Sequence, residues 1–214
     1  MIELRWRRFL LWVHYFDPHM PYAPPARWAR AAGAGDAARS RVMQDYAEGR
    51  GALARLYRGS DYGREEVEEA RCLYDGEVRY VDDQVGRLLD HLQQLGRDRD
   101  TVVVFVSDHG EALGEHGLFF GHDFTLYDEL TRVPLRLRGP GIASGVREHD
   151  VSLVDVAPTL CRLAVLGCAA SPDGVDLLAP PRPRTLFAAG TTRRARGPAF
   201  DRLLVDGVEG RWTA

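Results

Sequence analysis

Residues 65–106 constrain what this chain can fold into more than any other stretch. From Glu65 to Leu95 the apolar residues fall at Val67, Ala70, Tyr74, Val78, Val81, Val85, Leu88, Leu92 and Leu95, spacings of three and four that put one stripe along a helix. Glu65, Glu66, Glu68 and Glu69 suit the positive end of that helix, Ser60 or Asp61 its cap, and Gly96 a left-handed stop. Asp75-Gly76 marks a place for a kink. After a polar turn comes Thr101-Val-Val-Val-Phe-Val106, a continuous run of the kind a central parallel strand shows when both its faces are covered. Helix then strand is half of an α/β unit, which sets the fold class.

The flanking segments continue the alternation. Phe9–Tyr15 is bulky, β-rich and too short for a helix, and reads as a strand buried on both faces. Residues 21–62 are rich in Pro, Gly, Ala and Arg and suggest a surface excursion with short helices. Val133–Arg138 reads as a strand, and Asp155–Leu166 as a helix capped by Asp155 and ended by Gly167. Short β-like runs at Thr185–Ala188 and Phe200–Val205 finish the chain.

Composition narrows the chemistry. Lys plus Arg total 28 against 31 Asp plus Glu, for a net charge of −3, so no global basic field draws the chain to nucleic acid. Every basic residue is Arg and none is Lys, which removes amine nucleophiles and leaves Arg or His as the cationic partners. Cys72, Cys161 and Cys168 have no zinc-finger spacing and are too few for a disulfide framework; they read as buried thiols. The longest apolar run, Phe9–Val13, is far short of the ~20 residues that span a bilayer.

The chemistry-bearing residues gather where strands end. Ser107-Asp108-His109-Gly110-Glu111 follows the Thr101–Val106 strand, at the carboxyl edge where α/β sheets build their sites. Adjacent carboxylate and imidazole fit a divalent metal, and equally a turn Asp beside an exposed His. His14, Asp17 and His19 follow the first strand, on backbone stiffened by Pro18 and Pro21. An imidazole held this way serves an anionic oxygen or a leaving group, or simply donates to a nearby carbonyl. Gly114-Glu115-His116-Gly117 and Gly121-His122-Asp123 form a third, glycine-punctuated cluster.

Taken in order, these strings resemble the sulfatase family of the alkaline phosphatase superfamily. The resemblance rests on Val13-His14-Tyr15-Phe16-Asp17-Pro18-His19-Met20-Pro21-Tyr22, on Tyr74-Asp75-Gly76-Glu77-Val78-Arg79-Tyr80-Val81-Asp82-Asp83, and on Ser107–Glu111. Gly114–Gly117, Leu126–Glu129, Arg132-Val133-Pro134 and Asp155–Leu160 extend it. It implies an alkaline-phosphatase-like α/β fold, a mixed or parallel central sheet flanked by helices, here incomplete. Residues 1–178 would form part of the catalytic domain, and 179–214 a C-terminal extension or the start of a smaller subdomain.

The resemblance also implies the site. Asp108 and His109 would be metal ligands, for Ca²⁺ or Mg²⁺ first and Mn²⁺ or Zn²⁺ next. His19 matches the residue that contacts the non-bridging oxygens of the substrate, His14 lies on the substrate side, and His122 stands where the family usually has a Lys near the leaving group. The substrate would be a sulfate ester, or in related branches a phosphate or phosphonate ester, carried by a small molecule or a glycan. Family members also begin with a strand ending in paired aspartates that supply more metal ligands, followed by a Cys-x-Pro-x-Arg or Ser-x-Pro-x-Arg motif whose first residue becomes formylglycine. The 214 residues hold neither. The expectation is therefore the C-terminal part of a sulfatase-like hydrolase, inactive alone, in need of an N-terminal segment that would also cover its exposed sheet edges, or else a non-catalytic relic or assembly partner.

Overall fold

The computed structural model describes residues 8–48, 62–122, 125–168, 173–186 and 188. They fall into two compact units, one drawn from residues up to 99 together with 111–122, the other from 100–110 and the residues after 123.

The first unit is built on the long helix that the apolar stripe demands. We number the helices and strands in chain order: α1 (Ala26–Ala31), α2 (Arg41–Ala47) and α3 (Arg64–Gln94) precede the hairpin strands β2 (Ala112–Leu113) and β3 (Phe119–Gly121). β1 belongs to the second unit. Gly63 caps α3, its amide donating to Glu66 Oε2 at 2.7 Å; Ser60 and Asp61 lie outside the described residues. Gly96 ends the helix at φ +67°, as its position suggests.

No kink occurs at Asp75-Gly76, because α3 runs unbroken through it. Gly76 is there for a close approach: a Cβ on it would lie 2.9 Å from Pro24 Cγ and 3.3 Å from the Trp28 carbonyl oxygen. The core gathers on the first four turns of α3, where Val67, Ala70 and Leu73 meet Met20, Tyr22, Ala29, Val42, Met43, Tyr62 and Phe120. Residues 21–48 are therefore core-forming rather than a surface excursion, since their Ala-rich short helices bring small side chains against α3. Further along, Val78 is 42% exposed and the stripe lacks a full cover among the described residues.

In the second unit β1 (Val103–Val106) pairs with β4 (Leu135–Arg138), and α4 (Asp128–Thr131) and α5 (Val156–Leu163) complete the elements. The pairing is antiparallel, Val103 opposite Arg138 and Val106 opposite Leu135, which corrects the expectation of a parallel central strand. Nor are both its faces covered, since Phe105 and Val106 are 41% and 38% exposed: an uninterrupted β-branched run reports strand propensity, not direction or cover, and among the described residues the sheets are two antiparallel pairs. Before α5, Asp155 is fully buried: it accepts the Ser152 and Val175 amides at 2.8 and 2.9 Å and pairs with Arg184. Thr159, one turn on, accepts the Leu177 amide at 2.7 Å.

Three further expectations are corrected. Phe9–Tyr15 is not a buried strand: residues 8–16 have no regular secondary structure and no ladder partner among the described residues, and Leu10 and Trp12 are 87% and 85% exposed. Its hydrophobicity states a need for cover that the described residues do not meet. Cys161 and Cys168 form a disulfide, seven residues apart across the end of α5, and Cys72 is the free thiol. The reversal of the chain after Leu163 brings together two sulfurs that linear spacing keeps apart. Thr185 and Leu186 are not in a strand, and Phe200–Val205 lies outside the described residues. No helix among the described residues is long and apolar enough to cross a membrane.

Candidate active site

In the first unit the β2–β3 hairpin builds the site from its register. Ala112 is opposite Gly121 and Leu113 opposite Phe119, so Phe120 is the extra residue of a β-bulge. Phe120 sits at φ +56°, a conformation that a bulky side chain holds only when its surroundings impose it. Here they do: the ring is buried and packs edge-on against Tyr22 at 6.1 Å. One step beyond the Ala112–Gly121 pair the register brings Glu111 opposite His122, and His122 Nδ1 lies 3.3 Å from Glu111 Oε1. Arg71 on α3 pins the hairpin by donating to the Leu113 carbonyl at 2.5 Å.

His19 completes this cluster from the loop before α1, its ring 5.1 Å from that of His122 and edge-on to it. Phe16 lies 4.6 Å away on the same imidazole. His19 Nδ1 is 2.7 Å from the Met20 carbonyl oxygen. A carbonyl only accepts, so Nδ1 carries the proton and Nε2 is the nitrogen for an outside partner. The Glu111 carboxylate imposes the same tautomer on His122, holding a proton on Nδ1 and assigning exchange with a ligand to Nε2. Glu111 itself is buried at 8% exposure. It and the burial of the rings push both neighbouring phenols up: burial first and then the Glu111 charge raise Tyr22 well above the usual tyrosine range and Tyr74 to about 12.

The second unit carries the Asp-His pair just after β1. Asp108 is exposed and its Oδ1 accepts the His109 amide at 3.0 Å. His109 Nδ1 is 2.8 Å from the Gly110 carbonyl oxygen, so Nε2 is the nitrogen able to face a cation, 3.8 Å from Asp108 Oδ1. Two donors that far apart fit one ion about 2.0–2.3 Å from each. Gly110 tolerates no side chain, because a Cβ would stand 1.9 Å from the Glu129 carbonyl oxygen. The pair therefore fits as two corners of a metal site, while no group of three or more His, Cys, Asp or Glu that could hold a metal ion occurs among the described residues.

Of the residues singled out in the sequence, His19 and His122 are brought together, and Asp108 and His109 form a pair of their own. His14 is exposed and has no hydrogen-bond partner among the described residues. Sequence reasoning missed Glu111 as the partner of His122, since the pairing depends on a bulge that no local pattern announces. It also passed over Glu77, buried at 1% exposure on α3. A charged residue on the apolar stripe between Leu73 and Val81 was the signal for it.

Residues 4–166 match the sequence profile of the sulfatase family. This chain belongs to the sulfatase family. The chain is 42% identical over 108 residues to the choline-sulfatase of Rhizobium meliloti, a match covering 50% of this chain and 21% of that protein. It is 29% identical over 179 residues to an arylsulfatase of Clostridium perfringens, covering 79% of this chain and 36% of the relative. Human arylsulfatase K is 32% identical over 118 residues, covering 55% and 22%. Among solved structures, the phosphonate monoester hydrolase of Silicibacter pomeroyi is similar with a TM-score of 0.50 and 26% identity, over 72% of this chain and 29% of that one. The mixed α/β architecture with small sheets is consistent with that fold, and the chain spans a fifth to about a third of the length of the relatives it matches.

Proposed function

We propose that this chain contributes metal-binding and leaving-group residues to the hydrolysis of sulfuric esters. The observation that carries the reading is the His19–His122 pair backed by Glu111, two imidazoles whose Nε2 atoms are the ones assigned to an outside ligand. As the imidazolium, His19 would donate its Nε2–H to a non-bridging oxygen of the ester. His122, held by the carboxylate, would give its Nε2 proton to the departing oxygen, a role worth roughly 10²–10⁴ in rate. In place of the usual Lys, the positive charge of a His depends on pH. Asp108 and His109 would hold a divalent cation, Ca²⁺ or Mg²⁺ by carboxylate preference and Mn²⁺ or Zn²⁺ by imidazole preference. Bound there, such an ion supplies positive charge against the ester oxygens.

The nucleophile is not among these 214 residues, which hold no Cys- or Ser-x-Pro-x-Arg run; it would come from a segment of sulfatase sequence outside them. The exposed apolar run Leu10–Val13 supports this, as a surface that calls for cover. The test is a hydrolysis assay on 4-nitrophenyl sulfate. The expected result is no turnover by the 214-residue chain alone and turnover once a nucleophile-bearing sulfatase segment is added or fused. A rate from the chain alone that Asp108→Ala abolishes would overturn it.

A second reading is favoured by the likeness to a phosphonate monoester hydrolase: the same residues serving a phosphonate or phosphate ester. The same assay with phenyl phosphonate esters separates the two.

A further inference from the structure

The loop that carries His19 lacks ordinary means of support. Between Asp17 and Pro25 four positions are proline and have no amide to donate, and no strand pairs with it. Two amides hold it to the rest of the first unit. Tyr22 N–H donates to Met43 Sδ at 3.0 Å, a weak acceptor. Ala23 N–H donates to Glu77 Oε1 at 2.6 Å, a strong one. Glu77 is 1% exposed, and its other oxygen, Oε2, is buried with no hydrogen-bond partner.

A buried carboxyl with one oxygen left unpaired is a costly way to hold an amide. A glutamine would accept the same bond without a charge to desolvate. We propose that Glu77 is a positioning residue for His19, fixing the imidazole beside His122 by gripping the Ala23 amide from the face of α3. The inference rests on the reading of His19 as a substrate contact only for its catalytic meaning; the grip itself is independent of it.

The geometry explains how the grip is transmitted. Gly76, adjacent on α3, lets Pro24 lie against the helix backbone. Tyr22, fully buried, wedges between Tyr74 and Phe120 at 5.4 and 6.1 Å. The segment from Tyr22 to Pro24 is thus seated on three successive contacts, of which the Glu77 bond is the strongest polar one. Burial, opposed by the Ala23 amide and reinforced by the charge of Asp17, raises the Glu77 carboxyl to about 7. The titratable groups around it are Asp17 and Tyr22 from the loop and Tyr74 from its own helix. Above that pH the ionised carboxylate grips harder than the neutral acid below it.

The test is NMR of the 214-residue chain labelled at histidine and alanine nitrogens, as wild type, Glu77→Gln and Glu77→Ala. In the wild type the Ala23 amide shift should show a step centred near pH 7. Glu77→Gln should abolish that step while keeping the His19 and His122 ring signals in place, and Glu77→Ala should displace both ring signals while leaving those of His109 and His149 unmoved. A step of unchanged size in Glu77→Gln, or unmoved His19 signals in a folded Glu77→Ala protein, would overturn the proposal. Should Glu77→Ala fail to fold, the Glu77→Gln profile decides. Inorganic sulfate added to the same samples separates this inference from the functional reading: an intact Glu77 response with no sulfate response at His19 would remove only the latter.

Discussion

His122 shows how much one residue depends on another far along the chain. With Glu111 3.3 Å from its Nδ1, His122 is a donor whose orientation is set by a buried carboxylate. In an assembled, active sulfatase, Glu111→Gln should weaken that hold and move the alkaline limb of the kcat/KM profile to lower pH, whereas His122→Ala should cost roughly 10²–10⁴ in kcat for esters with poor leaving groups. His122→Lys should recover most of the loss and flatten the profile above pH 7, because a Lys stays charged there. A His122→Ala enzyme as fast as wild type on such esters would remove the assignment. Asp108 and His109 were readable directly from the string Ser107–Glu111, because their chemistry is adjacent in the chain. The Glu111–His122 pair was not, since ten residues, with a bulge at Phe120 among them, intervene.

Elements were legible in proportion to how far local pattern decides them. The α3 stripe appears where its spacing puts it, Arg64–Gln94, and the Thr101–Val106 run contains β1. Partners are a different matter: strand direction and the cover over Phe9–Tyr15 depend on distant chain. Gly76 illustrates the distinction, as a glycine that reads as a kink and serves as a seat for Pro24. Gly76→Ala should lower stability by about 1–3 kcal/mol, through overpacking against Pro24 Cγ and the Trp28 carbonyl, measured as a shift in the urea midpoint; no shift would mean that the helix and loop part easily. Asp155 anchors the start of α5 in a comparable way. Burial alone would raise its pKa, but Arg184 and the Val175 and Ser152 amides outweigh it and hold the carboxyl below its ordinary range. Its contribution is therefore complete above about pH 4 and is lost as pH falls through the folded value. Asp155→Ala should cost about 3 kcal/mol and remove that part of the acid transition.

At the scale of the whole molecule, opposite linkages meet. Glu77, raised to about 7 in the folded chain against roughly 4.3 when unfolded, keeps a proton that the unfolded state has already released. Its contribution to stability is full below about pH 4 and declines as pH rises through 7, so the urea midpoint of the wild type should fall between pH 5 and 8 relative to Glu77→Gln. The Cys161–Cys168 bond predicts one reactive thiol per denatured chain before reduction and three after it. The central claim is that His19 and His122 together receive the oxyanion of an ester. Titrating the 214-residue chain with inorganic sulfate while following its seven histidine imidazoles tests that most directly. The account predicts that the His19 and His122 resonances move together and saturate while His14 and His149 stay still. Uniform small shifts at all seven, or none at His19 and His122, would contradict it.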